Sequence, residues 1–478
     1  MCCRSGGVTL GTLNALELQP TRTYTRRPRR GGWAALALGA CLATSPAAAE
    51  RGVRKGPWVM DPTPTAMTLL IERSSPGPVT VRAWQLVPSG SRAPDAVERT
   101  DEADTELHEV RLTSLVPGAR YQYEVRGPGM DAVRGTFGTP SEYSDAFRFL
   151  LYGDTRTNAR SHGAVVRAMQ REGADFVVHT GDLVHDGRNE NHWQQFFQIE
   201  GPLLRDSVFI PVVGNHELRA NSPQGIANFR RYVHASDESP RPELDYTIRY
   251  GNVRMVLANA YDNWSSPRMR GWLEGELRQA RREGPEDFLL VVTHWGLHSS
   301  GPHGDNPTFR AARLGDLFRQ YRVDLVVAGH DHIYERGEDH GLKYIVTGGS
   351  GAPLYDQERE HRFAEVFARQ HHYVRVDAEY NKLTLTAVRP DGTVLDRFVI
   401  RHADARAHAR PRRAAVFAPV VDDEVVPPPP VVPRLRVTRS CLCAAPGLHV
   451  SPRGSAWSVL VAMGLSLVAR RRVRAAAA

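Results

Sequence analysis

Five short apolar runs in the middle of this sequence end, one after another, at a residue able to hold a metal ion. Phe147–Tyr152 leads into Gly153-Asp154-Thr155-Arg156, and Phe176–Thr180 into Gly181-Asp182-Leu183-Val184-His185. Val208–Val213 leads into Gly214-Asn215-His216-Glu217, Phe288–Thr293 into His294, and Leu325–Ala328, through Gly329, into His330-Asp331-His332. A lone Gly-Asp pair is usually a turn; five such endings in succession are not turn chemistry. Two metal ions held ~3.5–4 Å apart can share a bridging hydroxide and neutralise the oxygens of a phosphoryl group. One carboxylate must bridge them. Neutral imidazoles and an amide oxygen complete the shells without the excess negative charge that would repel phosphate. The set is nitrogen and oxygen only, which suits iron, zinc or manganese.

The elements that must position these groups follow from the pattern around them. Uninterrupted apolar runs of this length read as buried strands. Helical stretches lie between them at His162–Arg171, Asn191–Leu204, Arg268–Arg282 and Arg310–Tyr321. Alternation of this kind is α/β, and sites then belong at the carboxyl ends of the strands. The glycines before the ligands are expected to let the backbone turn sharply there. Tyr373–Asp377, Lys382–Arg389 and Val394–Ile400 read as a closing antiparallel meander with a turn at Pro390-Asp-Gly. Ahead of the α/β region, residues 53–140 carry short alternating runs separated by Pro/Gly turns: Thr68–Ile71, Val79–Trp84, His108–Leu112 and Tyr121–Val125. They predict a small all-β sandwich.

The ends of the chain differ from its middle. Residues 1–52 and 403–478 hold 19 of the 61 Lys/Arg and 6 of the 53 Asp/Glu, so the formal +8 belongs to the tails and the middle is mildly acidic. A nucleic-acid partner is therefore not expected. All five cysteines (Cys2, Cys3, Cys41, Cys441 and Cys443) are in the tails too, which excludes thiolate sites and disulfides from the core. The cluster Arg26–Arg30, the apolar run Trp33–Leu42 and Ser-Pro-Ala-Ala-Ala-Glu predict an export signal over 1–49, cut after Ala49. Leu38-Gly-Ala-Cys41 offers a rival, a lipobox with Cys41 lipidated. Residues 403–440, with Pro427–Pro430, read as a flexible spacer. In 441–478, Cys441-Leu-Cys443 precedes the apolar run Ala456–Ala469 and an arginine cluster. That run falls short of the ~20 residues a spanning helix needs. The combination resembles a myxobacterial-type C-terminal sorting tail, which implies cell-surface or outer-membrane attachment; a plain membrane anchor is the alternative.

Gly-Asp…Gly-Asp…Gly-Asn-His…His…Gly-His-x-His resembles the signature of the calcineurin-like metallophosphoesterases. The ending Gly-His-Asp-His-Ile-Tyr-Glu-Arg336, with a β-rich segment ahead of it, resembles their purple acid phosphatase branch. Leu115–Val125 with Gly135-Thr-Phe-Gly-Thr-Pro is similar to the last strands of a fibronectin type III-like domain (53–140). The resemblance implies a two-sheet α/β/β/α catalytic domain over 145–402. It implies that Asp182 bridges two metals, that Asp154 and His332 serve the first, and that Asn215, His294 and His330 serve the second. His216 would protonate the leaving alkoxide after attack by hydroxide held between the ions.

Two positions depart from that branch. Arg156 stands where its members usually have glycine, and could hold a phosphate oxygen bidentately. His185 stands where a tyrosinate would bind ferric iron; either it replaces that ligand or the first site is one short, and the tyrosinate colour should be missing. His298 and His303 could approach substrate or be solvated loop residues. Tyr334, Glu335 and Arg336 would orient the two histidines before them; His179, His361, His371 and His372 read as structural or exposed. The function implied is an exported phosphomonoester hydrolase, acid phosphatase-like. A phosphodiesterase or nucleotidase on the same centre is the near alternative, and a non-catalytic surface-binding or adhesion protein the distant one.

Overall fold

A computed structural model describes residues 50–87, 95–141, 146–219, 221–235 and 239–402. The expected export signal, spacer and sorting tail lie outside these residues. The described chain opens with strands only: β1 (Val53–Thr63), β2 (Ala66–Arg73), β3 (Val79–Gln85), β4 (Val97–Asp101), β5 (Leu107–Thr113), β6 (Arg120–Arg126) and β7 (Val133–Gly138). Strands and helices then alternate: β8 (Phe147–Tyr152), α1 (Ala159–Gln170), β9 (Phe176–His179), α2 (Glu190–Leu204), β10 (Val208–Pro211), α3 (Asn215–Leu218) and α4 (Pro223–Tyr232). The hairpin β11 (Tyr246–Tyr250) and β12 (Val253–Ala258) leads to α5 (Pro267–Glu283), β13 (Phe288–Thr293), α6 (Pro307–Ala311), α7 (Leu314–Gln320) and β14 (Leu325–Ala328). Six strands close the chain: β15 (Tyr334–Asp339), β16 (Leu342–Thr347), β17 (Ala364–Ala368), β18 (Tyr373–Glu379), β19 (Lys382–Val388) and β20 (Val394–Arg401).

Among the described residues the strands form three sheets. The largest runs β20-β19-β18-β8-β9-β10-β1-β2-β5, the second β11-β12-β13-β14-β16-β15-β17, and the third β4-β3-β6-β7. The first two pack face to face, because Phe149, Leu151 and Val178 share one apolar core with Met255, Leu290 and Val327. Helices cover the outer faces. Val165, Phe196 and Phe197 of α1 and α2 pack on the first sheet, and Leu273, Leu277 and Phe318 of α5 and α7 on the second. This is an α/β/β/α sandwich preceded by an all-β region. The ligand-bearing strands β8, β9 and β10 are parallel and flanked on both faces, which is why they read as continuous apolar runs rather than alternating ones. Among the described residues, no helix is long and apolar enough to cross a membrane.

The early strands are not confined to their own sandwich. β1 pairs in parallel with β10 at Val59↔Val208, so β1, β2 and β5 extend the nine-stranded sheet. Buried Lys55 bonds Glu72 and Glu190, and Trp58 donates to the Tyr232 carbonyl at 3.1 Å. The expected helix over Arg310–Tyr321 is broken instead: Arg313 adopts φ 51°, separating α6 from α7. Asn306 starts α6 by accepting from the N–H groups of Thr308 and Phe309.

Asp245 ties the open end of the β11–β12 hairpin by accepting the Asn259 N–H at 2.8 Å. Burial pushes its carboxyl up to about 7 from an ordinary 3.8, against the pull of that N–H and of Arg241. The folded state therefore keeps a proton that the unfolded chain loses near pH 4. The stability this group contributes is full below that pH and lost as pH rises to about 7, at ~1.4 kcal/mol per unit of displacement. Asp245→Asn should flatten the fall in Tm between pH 4 and 7 seen in thermal melts of the parent.

Candidate metal centre

The carboxyl ends of β8, β9, β13 and β14, with the N-terminus of α3, bring the predicted side chains to one place. Asp154, Asp182 and His294 are buried and set a ligand atom each within 4.8 Å of one another. His294 Nε2 lies 3.3 Å from Asp182 Oδ1, 3.1 Å from Asn215 Oδ1 and 3.2 Å from His330 Nδ1. His332 Nε2 lies 3.6 Å from Asp154 Oδ1. The separations link six of the seven expected ligands of the two-ion site, His185 being the exception.

The backbone is bent to achieve this. Asp154, Asp182 and His330 adopt φ of 57°, 56° and 70°, a left-handed region costly for side chains other than glycine. The preceding glycines serve mainly another end than the turn expected of them. A Cβ on Gly329 would sit 2.4 Å from Asp154 Oδ2, and one on Gly214 would sit 2.3 Å from both the Asp182 nitrogen and Oδ1. They are glycines because neighbouring loops touch there. Gly181 alone of these three also has positive φ, at 97°.

Protonation states suit a metal. His294 donates Nδ1–H to the Thr180 carbonyl at 2.7 Å and His332 donates Nδ1–H to the Pro353 carbonyl at 2.6 Å. Each then turns a lone pair on Nε2 into the centre. Burial holds His294 below the ordinary histidine range; burial and His294 hold His330 well below it; burial and Arg156 bring His332 to about 4. All three rings are neutral at physiological pH. Burial, then repulsion from Asp182, pushes Asp154 up. Burial pushes Asp182 up as well, but charge on His294 and His216 in acid, with Arg156 and the His216 N–H at any pH, outweighs it and keeps that carboxylate ionised.

A cation fits this donor set. The lone pair of His294 Nε2 faces a carboxylate oxygen and an amide oxygen that is itself already accepting from Tyr261 at 3.0 Å. Asp154 Oδ1 is buried with no hydrogen-bond partner at all, a cost that a metal ligand does not carry. Its other oxygen accepts the His330 N–H at 3.0 Å, and Asp182 Oδ1 accepts the His216 N–H at 3.0 Å.

The other expected residues fall around this core. His216 donates Nδ1–H to the His185 carbonyl at 2.5 Å and holds Nε2 at 3.8 Å from Asp182 Oδ2. Arg156 reaches the centre, its Nε 2.9 Å from Asp182 Oδ2 and its Nη2 3.1 Å from His332 Nε2. His185 is set one ring further out, exposed, its ring packing against His192 and His216. His303 bonds Asp331 at 2.7 Å, with its ring centre 4.1 Å from that of His330, whereas His298 turns away to Asp339. Tyr334 and Arg336 do not orient the histidines: both bond Asp396, and Glu335 accepts from Ser300 and Tyr344. His179 packs on Tyr152 and meets Thr155 at 3.0 Å.

Three groups carry more of the arrangement than the sequence signalled. Glu217 is buried and accepts the N–H groups of Asp182, Val184 and Gly214 at 3.0, 3.1 and 2.8 Å, clamping two ligand loops together. Its place beside His216 was visible; its partners were not. Tyr261 holds Asn215, and Tyr355 stacks on His332 at 4.1 Å, and neither lies near a motif. Beside Arg156 a cavity of about 180 Å³ opens, lined by Thr155, Thr157, His162, His185, His192 and Phe196 among others.

The chain is similar to several known proteins. Residues 147–334 match the Calcineurin-like phosphoesterase family. The chain is 29% identical over 269 residues to phosphoenolpyruvate phosphatase of Allium cepa, covering 52% of this chain and 55% of that one. It is 27% identical over 306 residues to Fe(3+)-Zn(2+) purple acid phosphatase 12 of Arabidopsis thaliana, covering 59% and 64%. The chain thus spans little more than half the length of the curated relatives it matches. The purple acid phosphatase from yellow lupin (Lupinus luteus) seeds superposes with a TM-score of 0.62 at 19% identity, covering 73% of this chain and 74% of that one, and so shares the fold.

Gly214→Ala should lower metal content and stability together, because the added methyl group must displace the Asp182 loop. Overpacking of this kind costs ~1–3 kcal/mol, readable as a drop in Tm alongside metal analysis. Residues 147–334 are thus similar to the Calcineurin-like phosphoesterases, and purple acid phosphatases are among the proteins the chain resembles.

Proposed function

We propose that this protein is a two-metal phosphomonoester hydrolase, acid phosphatase-like, with Asp154, Asp182, Asn215, His294, His330 and His332 as its metal ligands. The observation that carries the reading is the meeting of these six side chains, Asn215 half-buried and the others buried, each within 4.8 Å of another, with Asp154 Oδ1 unpartnered and His216 and Arg156 at the rim. Bound ions supply Lewis acidity to phosphate oxygens and lower the pKa of water. Iron, zinc and manganese all suit the donors.

The protein's own groups do the rest. Asp182 sets an oxygen within 4.8 Å of ligand atoms of both Asp154 and His294, and would bridge the two ions. Arg156 is positively charged at any working pH, and two of its donors already point inward, so it offers its charge to a phosphate oxygen. His216 is held by the His185 carbonyl with Nε2 facing the centre, the orientation a proton donor to the leaving oxygen needs. The cavity beside Arg156 gives the leaving group room. His185, its ring outside the cluster, is proposed to shape this cavity, where a ligand role had been the expectation. The leader-like residues 1–49 and the tail 441–478 support export and surface attachment as the setting.

Burial holds His216 below 6.5, with Asp182 and the His185 carbonyl drawing it back up. Its acid form is therefore present at low pH and lost as pH rises through that depressed value. Turnover of alkyl phosphates should decline along this limb. His216→Ala should remove the limb, keep both metals and slow alkyl phosphates ~10²-fold, while aryl phosphates with good leaving groups lose much less. Equal slowing of all esters would remove the acid role. Asp182→Ala should abolish metal binding at this centre and turnover together; a variant that still hydrolyses phosphomonoesters would refute the assignment, and a panel of diesters tests the neighbouring specificity.

A further inference from the structure

A second group of metal-capable side chains lies away from the centre, in the loop that follows His294. His298, Asp305 and His361 set one ligand atom each within 4.8 Å of one another. His361 Nε2 is 3.2 Å from Asp305 Oδ1, and His298 Nδ1 is 3.6 Å from Asp305 Oδ2. A tetrahedral ion with bonds of ~2.0–2.1 Å to nitrogen and oxygen has ligand-to-ligand edges of ~3.3 Å. The observed separations bracket that length.

The protonation of His298 follows from its other partner. Its Nε2 lies 3.1 Å from Asp339 Oδ2, an oxygen that also accepts from Arg319 at 2.8 Å. An ionised carboxylate only accepts, so His298 donates Nε2–H to it, and only a proton or a metal ion on Nδ1 can then face a second carboxylate. That Nδ1 is buried, has no hydrogen-bond partner and faces the oxygens of Asp305. Lone pair against carboxylate is unfavourable without a cation between them. A carboxylate that orients a histidine through its far nitrogen is what metal-binding histidines ordinarily have behind them. The side chains of His298 and His361 are only 13% and 12% exposed.

We propose that His298, Asp305 and His361 form a third metal site, taking zinc or a similar divalent ion with a water in the fourth position. The ion fastens the loop that carries His303 to the segment that carries Tyr355, and these two rings border His330 and His332. The site does not rest on the hydrolase reading, since none of its ligands belongs to the centre described above.

Metal analysis of the full chain, purified with zinc supplied, tests it. His361→Ala and Asp305→Asn should each lose one zinc per chain relative to the parent, whereas Asp182→Ala should lose metal from the other centre and keep this one. Parent-level zinc in both His361→Ala and Asp305→Asn would overturn the proposal and leave two Asp–His ion pairs. Should those variants fail to fold, anomalous scattering from zinc-soaked crystals of the parent decides the matter. A peak flanked by the three side chains supports the site, and no peak there overturns it.

Discussion

Two carboxylates, Asp154 and Asp182, lie buried within a few ångströms of each other, and their mutual repulsion is the constraint the surrounding structure answers. Neither is given up to water. Asp182 is held ionised by Arg156 and the His216 N–H, while Asp154 keeps one oxygen on the His330 N–H and one with nothing. Charge of opposite sign has to be found locally, and Arg156 alone does not match two carboxylates with Glu217 buried behind them. The neutral imidazoles then make sense as ligands that add no further negative charge. The proposed cations would complete the balance, in place of the protons that burial favours on Asp154 and Glu217.

Holding this arrangement requires backbone loops from separate strands to touch. Gly214 lies against Asp182 and Gly329 against Asp154, and three of the proposed ligands sit in left-handed backbone. Such conformations persist only where surroundings over-determine them. Glu217 supplies part of that, with three N–H groups on one carboxylate, and the two packed sheets supply the remainder by fixing the strand ends.

Much of this was legible because the information is local. Each proposed ligand lies within four residues of its strand's end, and parallel strands buried on both faces leave a plain apolar signature, so β8, β9, β10, β13 and β14 and the residues after them could be read off. The hairpin β11–β12 went unread: Tyr246–Tyr250 mixes polar and apolar residues, and Val253–Ala258 has an arginine inside it. Tyr334 and Arg336 were misjudged because adjacency to His332 suggested contact, whereas the strand that follows carries them off to Asp396. Tyr261, Tyr355 and the Thr180 carbonyl act through space, and no spacing announces them. His361 was dismissed for the same reason: its partners lie more than fifty residues away in sequence.

The order of the large sheet bears on how the protein comes together in time. β8, which delivers Asp154, lies between β9 and β18, and β18 is Tyr373–Glu379. β10, on the far side, is flanked by β1 from the other end of the described chain. A chain emerging from the ribosome can therefore pair β1 early, yet must wait for β18 before the strand bearing the first aspartate has both neighbours. Pairing across such separations is slow. Ion capture then falls among the last events of maturation, after the final meander has docked.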